Sequence, residues 1–391
     1  MSEWDTAEFG SLYAVPSKNG IMAPSRVRGA GALLVNMKEI FAYDVISNQA
    51  MERAPVPPRA PDSWLLHDGD LLFARQSLTL AGAGKVSLVV APPEPMTFES
   101  HIIRVRLHPD IADSRFYYYL FRSDLGRELV AGIAEQVAAA GIRASDLGRL
   151  RVPKPPLDEQ LRIAGVLAAF DELIETNRRA VADLRELGLA AFDAASAQGD
   201  VVAFSSIATQ IRDGVGVSDL IQGAPYLGLE HFAPDGGGIS GRGDAGSVGS
   251  SKSRFRAGDV LYGKLRPYFR KSDRPGFDGV CSTEIWVLRP RPGWGAATLD
   301  AIVGLPEFTE FAMAGSGGTR MPRANWDHVS TMPVAVPCEP TRSVLDAQLE
   351  RMWRARVVLM EELRDLQRTR DELLTLLMTG KVRVSESLAV A

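Results

Sequence analysis

The sequence predicts an α+β chain, with two similar globular domains separated by two long helices that form an antiparallel intramolecular coiled coil. Three observations predict this. Ile163, Leu167, Phe170, Ile174, Asn177, Val181, Leu184, Gly188 and Ala191 follow one another in alternating steps of four and three, the spacing of a coiled-coil seam. The series returns 182 residues later as Leu345, Leu349, Met352, Arg356, Leu359, Leu363, Leu366, Arg370 and Leu373. Punctuation repeats with it. Pro155 and Pro156 precede the first stretch and Pro337 and Pro340 the second, while Gly199 and Gly380 follow them as stops.

In chain order this gives a first globular domain at 1–150, a long helix at 151–199, a second domain at 200–337, a second long helix at 338–380 and a flexible tail at 381–391. The first domain mixes short β-type runs, such as Asp70 to Phe73, Val86 to Val90 and Ile102 to Leu107, with a helical piece around Ser114 to Ala140. The second retraces it. Gly258-Asp259-Val260-Leu261-Tyr262 matches Gly69-Asp70-Leu71-Leu72-Phe73, and Thr283 to Arg289 parallels Ser100 to Arg106. Val329, Met332 and Val334 fall where Leu147, Leu150 and Val152 stand in the first. The loops differ, since the glycine-rich Asp235 to Ser251 has no partner in the first domain. Similar scaffolds with different loops suit two sites that read different things. The seam misfits are Asn177 and Gly188 in one helix and Arg356 and Arg370 in the other, and one alignment sets Asn177 opposite Arg356.

Composition places the chain among globular proteins of two or three domains: 391 residues, 46% hydrophobic and 24% charged. No apolar run approaches the roughly 18 residues of a membrane span, and Met1 to Asp5 lacks a signal-peptide pattern, so a cytoplasmic location is expected. Cys281 and Cys338 are too few for a disulfide framework or a cysteine-rich zinc site. The five histidines have no metal-ligand spacing, and none of the eight lysines has an acid two residues before it, as one nuclease motif requires. Gly258 to Lys264 fits G-x-x-x-x-G-K, but Leu265 replaces the magnesium-binding Ser or Thr and Val260-Leu261-Tyr262 reads as a buried strand.

What remains is recognition chemistry. Despite a net charge of -4, eight basic residues and only two acids lie between Lys252 and Arg274. Such a run is often only a solvated face; here cations interleave with aromatics, in Lys264, Arg266, Tyr268, Arg270 and Lys271, which suits phosphate oxygens and base edges. Lys252 opens the run. Arg75, Gln76, Ser77 and Lys85 hold the corresponding place in the first domain, and Arg320 and Arg323 follow a flexible Gly315-Ser316-Gly317-Gly318. A coiled-coil scaffold without nucleic acid and an enzyme with an unfamiliar site are the rival readings.

The order of elements resembles a known family. Val152-Pro153-Lys154-Pro155-Pro156-Leu157-Asp158-Glu159-Gln160 opens the first helix, Gly258 to Pro267 forms a strand and basic turn, and Leu373 to Lys381 closes the second helix. Together they resemble the specificity (S) subunit of type I restriction-modification enzymes, over nearly the whole chain. The second helix departs from the pattern, opening Pro340-Thr341-Arg342-Ser343 without the Leu-x-Glu-Gln of the first. The resemblance implies a non-catalytic DNA-recognition subunit, whose two target-recognition domains each read half of a bipartite site in double-stranded DNA. It implies modification subunits as partners, expected as two, and translocating restriction subunits where the system also cleaves. S-adenosylmethionine and ATP are expected on those partners, with no cofactor or metal in this chain. Outward charged residues of the helices, among them Glu172, Arg178, Arg185, Glu361 and Arg368, are the expected docking positions.

A helix from about Asp158 to Gln198 is roughly 60 Å long at about 1.5 Å per residue, which caps the gap between half-sites at about 18 base pairs of about 3.4 Å each. Inserting one heptad into both helices keeps the seam in phase and adds about 10 Å. We predict that methylation then falls on the native site and is regained, if at all, on sites with a longer gap and the same half-sites. Undiminished methylation at the original spacing would show that the helices do not set the distance.

Overall fold

A computed structural model describes residues 4–59, 61–136, 140–318 and 320–385; positions 386–391 of the expected tail lie outside the described residues. The chain divides into two compact units, Met1–Leu173 with Leu366–Ala391, and Ile174–Asp365. Each long helix contributes one part to each unit.

In the first unit the chain forms β1 (Thr6–Glu8), β2 (Tyr13–Asn19), β3 (Leu71–Ala74), β4 (Gln76–Ser77), β5 (Val86–Val89) and β6 (Ile102–Leu107). Helices α1 (Ser114–Arg122) and α2 (Asp124–Ala131) follow, then β7 (Ala140–Gly141), β8 (Arg151–Pro153) and the start of α3 (Leu157–Ser196). The main sheet runs β2-β6-β3-β5, all antiparallel, and then Val45–Ile46, parallel to β5. Leu71-Leu72-Phe73-Ala74 is apolar throughout because both faces of β3 are covered. Leu71 and Phe73 face a core completed by Phe116 to Phe121 of α1, while Leu72 and Ala74 face Leu33, Val35, Met96 and Phe98.

The single helical piece expected around Ser114 to Ala140 is two helices followed by strands. Ser123 is extended (φ -70°, ψ 163°), and its side chain accepts the Gly126 N–H, so it ends α1 and caps α2. Gly126 permits this corner, since a Cβ there would stand 2.0 Å from the Leu120 carbonyl oxygen.

Gly69 supplies the positive φ (81°) that turns the chain into β3. The buried Asp70 then accepts the His67 N–H at 2.8 Å and a two-pronged donation from Arg106, Nε and Nη2 each at 2.7 Å. Such paired, charge-assisted bonds are strong and directional.

The second unit repeats the arrangement with β9 (Asp200–Ala203), β10 (Ala208–Ile211), β11 (Val260–Gly263), β12 (Ser272–Asp273) and β13 (Ile285–Pro290). Then come α4 (Ala296–Gly304), α5 (Pro306–Ala314), β14 (Pro333–Val336) and α6 (Thr341–Met378). The sheet order is β10-β13-β11-β12, antiparallel throughout. Gly258 has φ 86°, and Asp259 accepts the Arg256 N–H at 2.9 Å and both prongs of Arg289 at 2.7 and 2.8 Å. Phe204 N–H donates to the Met332 carbonyl at 2.8 Å, as Phe9 N–H does to Leu150. Val260 to Gly263 is a central strand, so Gly258 to Lys264 forms no phosphate cradle.

The long helices are built into these units. At the start of α3, Gln160 accepts the Asp113 N–H at 2.8 Å and donates to the Pro155 carbonyl at 2.8 Å, while Glu159 accepts from the Trp4 indole. That is the work of the Glu-Gln pair. Where α6 begins without it, Glu339 accepts from Arg342 and Ser343, and Arg342 lies over the Trp294 ring.

The helices run antiparallel. In the first unit Asp171 accepts from Arg370 at 2.8 Å, while the earlier Ile163 and Leu167 share a core with the later Leu377 and Met378. In the second, Leu349 and Met352 lie over Gly188, while Arg185 and Arg356 meet at Asp273. This register overturns the pairing of Asn177 with Arg356. Arg356 stands level with Arg185, about two helical turns further along α3. It is buried, donating to Asp273 at 2.8 Å with Asp300 at 3.7 Å. Arg185 is a second correction, because it points inward to Asp273 and is not an outward docking position.

Asp273 is the hub of the second unit's helix attachment. Burial pushes its carboxyl up, but Arg356 and Arg185, aided by the N–H groups of Ile239 and Arg274, hold it below the usual carboxylate range. Its contribution is therefore present above the unfolded aspartate value and lost as pH falls through the folded one. Asp273→Ala should cost roughly 3–5 kcal/mol by leaving two buried guanidinium groups with Asp300 as their one nearby carboxylate among the described residues. Chemical denaturation of the whole chain at neutral pH checks this, and a change below about 1 kcal/mol, the range of an exposed pair, would remove Asp273 from that role.

Candidate nucleic-acid interface

The two units can be laid over one another through backbone hydrogen bonds just beyond β3 and β11. Arg75 N–H donates to the His101 carbonyl at 2.8 Å, and its own carbonyl accepts from Ile142 at 2.9 Å. Lys264 N–H donates to the Glu284 carbonyl at 2.9 Å, and its carbonyl accepts from Ala324 at 2.9 Å. Arg75 and Lys264 thus occupy one position in a shared framework. Their side chains have no hydrogen bond or ion pair among the described residues.

Next to them a short strand pairs with a returning segment. In the first unit β4 pairs with β7, Gln76 with Gly141 and Ser77 with Ala140. In the second, Leu265 bridges to Arg323, and Arg266 N–H donates to the Pro322 carbonyl at 2.8 Å. The rim positions therefore correspond as His101 to Glu284, Gln76 to Leu265, Ser77 to Arg266, Gly141 to Arg323 and Arg143 to Asn325. The framework is the same and the side chains differ at every one of these rungs. In the second unit the rim opens on a cleft of ≈ 770 Å³, whose lining includes Arg212, Lys264, Trp286, Arg323, Asn325 and Trp326.

The other residues expected to meet nucleic acid divide into free and engaged. Gln76 and Arg320 are exposed, and Tyr268, 46% exposed, packs on Phe269 with ring centroids 4.7 Å apart. Ser77 Oγ accepts the Thr79 N–H at 3.1 Å. Arg266 has a left-handed backbone (φ 51°), and its buried Nε has no partner among the described residues.

Four cations are bonded to the fold's own main chain. Lys252 is buried, its ammonium donating to the Ser250 carbonyl and hydroxyl, both at 2.7 Å, so its place in an exposed basic patch is corrected. Lys85 donates to the Phe41 carbonyl at 2.9 Å and lies 3.7 Å from Asp44. Arg270 donates to the Gly304 carbonyl at 3.2 Å and Lys271 to the Leu229 carbonyl at 2.7 Å. A lysine or arginine bonded to main-chain oxygens keeps its charge but has fewer donors for a ligand. The sequence reading missed Arg143, Arg212, Asn325 and Trp326, which belong to no basic or aromatic run.

Residues 42–184 match the family described as type I restriction modification DNA specificity domain. A protein named as the MjaX specificity subunit of a type I restriction enzyme, from Methanocaldococcus jannaschii, is 29% identical over 175 residues, covering 44% of this chain and 41% of its own length. The EcoDI specificity subunit of a type I restriction enzyme, from Escherichia coli, is 27% identical over 106 residues, or 27% of this chain and 23% of its own. The matched stretches thus span less than half of these relatives. Among solved structures, the S subunit of a type I restriction-modification system from M. genitalium has the same fold, with a TM-score of 0.62 at 16% identity over 96% of both chains.

Proposed function

We propose, for a chain that belongs to the specificity-subunit family of type I restriction-modification systems, that each of its units reads one half of a bipartite site in double-stranded DNA. The chain directs a modification complex, and a cleaving one where the system has it, to that site. Catalysis resides in the partner subunits, which hold S-adenosylmethionine and ATP; two modification subunits would serve the two half-sites.

One observation carries this reading. A framework used twice, down to the paired prongs of Arg106 on Asp70 and Arg289 on Asp259, ends in two rims whose side chains differ. Stability alone gives no reason to vary the rim while repeating its support. Two different half-sites do. Within each rim the uncompensated cation at the shared position, Arg75 or Lys264, suits a phosphate, the part of DNA common to every sequence.

Selection of bound duplexes from a random pool by the whole chain tests the function. Two short motifs at a fixed gap are expected, and a single continuous motif or none would overturn it. Lys264→Ala should weaken binding to all sequences alike and lower the salt slope by about 1, as should Arg75→Ala. A change confined to one base position with the slope intact would instead make that residue a base reader.

A further inference from the structure

We infer that Arg323 in the second unit and Arg143 in the first are the base-reading side chains of their rims, each aimed by a glutamate and each suited to a guanine edge. The inference rests on the proposed function, and it divides the rim cations into two kinds.

Arg75 and Lys264 are uncompensated. Arg323 and Arg143 are not. Arg323 Nε donates to Glu284 Oε2 at 3.0 Å, and Arg143 Nη2 donates to Glu135 Oε2 at 2.7 Å. These pairs are too exposed to matter for stability, with side-chain exposures of 51% and 28% in one and 66% and 56% in the other. What such a pair does provide is orientation, and near-cancellation of charge. An arginine neutralised by a neighbouring carboxylate attracts phosphate weakly, because phosphate binding depends on net charge and released counterions. Its unspent N–H groups remain a planar fork. In Arg323 the Nε is occupied and both Nη groups are left, the two donors that guanine O6 and N7 accept in the major groove.

The backbone beneath each arginine is fixed as well. Arg323 exchanges hydrogen bonds with Gly317, N–H to carbonyl at 3.1 Å and 3.2 Å in return, and its neighbour Ala324 is bound to the Lys264 carbonyl. The Arg143 carbonyl accepts from Asp146 at 3.1 Å and Leu147 at 3.0 Å, and its neighbour Ile142 is bound to the Arg75 carbonyl. A reader must be held on a supported element to discriminate between bases. Each arginine is thus one residue away from the backbone that carries the phosphate-type cation.

The two readers are not at the same rung. Arg323 corresponds to Gly141, and Arg143 to Asn325, two residues further on the same segment. Positions two apart on an extended segment point to the same side. The guanine should therefore fall at different steps of the two half-sites, measured from the phosphate contact made by Arg75 or Lys264.

Random-duplex selection with the whole chain, run at two salt concentrations, decides the matter. Arg323→Ala should relax one guanine position of one half-site by roughly 5- to 150-fold, leaving the other half-site and the salt slope unchanged. Arg323→Lys, which keeps the charge and loses the fork, should do the same. Arg143→Ala should act only on the other half-site. Glu284→Gln should blur the same position as Arg323→Ala and raise affinity for all other sequences. Matching far-ultraviolet circular dichroism and thermal unfolding of the variants exclude loss of fold as the cause. If the wild-type chain enriches a bipartite motif and Arg323→Ala instead lowers every affinity and the slope by about 1, or leaves the motif unaltered, the inference falls and the function stands. If the wild-type chain enriches no motif, both fall.

Discussion

The bond pair between an arginine of the edge-flanked strand and a buried aspartate at the start of the central one is what each unit depends on. Asp70 and Asp259 have almost no exposure, so their oxygens need hydrogen-bond donors inside the fold. Arg106 and Arg289 supply them in two prongs, which fixes both the separation and the sliding of the two strands. Register is otherwise set only by which residues face the core, and a slip of one would turn every side chain over. With the register fixed, the residues just past the strand end, Arg75 and Lys264, arrive at the same point in both units.

That arrangement separates the support from the rim. Glycine, aspartate and arginine, the backbone bonds of Phe9 and Phe204, and the apolar strand interiors lie beneath the rim and are repeated. The side chains above are not. Hydrogen bonding also sorts the cations: some are bonded to main-chain oxygens, as Lys252, Lys271 and Arg270 are, some are paired with a glutamate, and some are left uncompensated. Residue type alone does not tell these apart.

Much of the fold was legible because it rests on periodicity and repetition. The four-three seam marks both helices, and none of its residues is exposed. The Gly-Asp repeat marks both central strands. What failed were inferences about partners across space. Arg356 looked like a polar seam residue, but the short strand β12 of the globular part brings Asp273 to it, and no helical pattern contains that strand. Lys252 looked like part of a basic patch until its strand turned it onto its own main chain. Carrying the repeat on past the central strand would have paired Arg143 with Asn325, since Leu147 and Val329 were already aligned; the different lengths of the intervening loops obscured this. Glu284 and Glu135 gave no signal, because a carboxylate that aims an arginine is indistinguishable in sequence from any surface acid.

The core of the first unit has a consequence for how the chain is made. Its walls include Phe73, Phe116 and Ile163, but also Leu377 and Met378, the last residues of α6. A ribosome delivers the first set long before the second. Until the end of α6 is made, the amino-terminal unit therefore stands with one apolar side open, while the second unit, whose segments lie together in the chain from Ile174 to Asp365, can close earlier. A chain that stopped at Leu376 would keep the second unit's core intact and leave the first unit, made at the opposite end, without its closing wall.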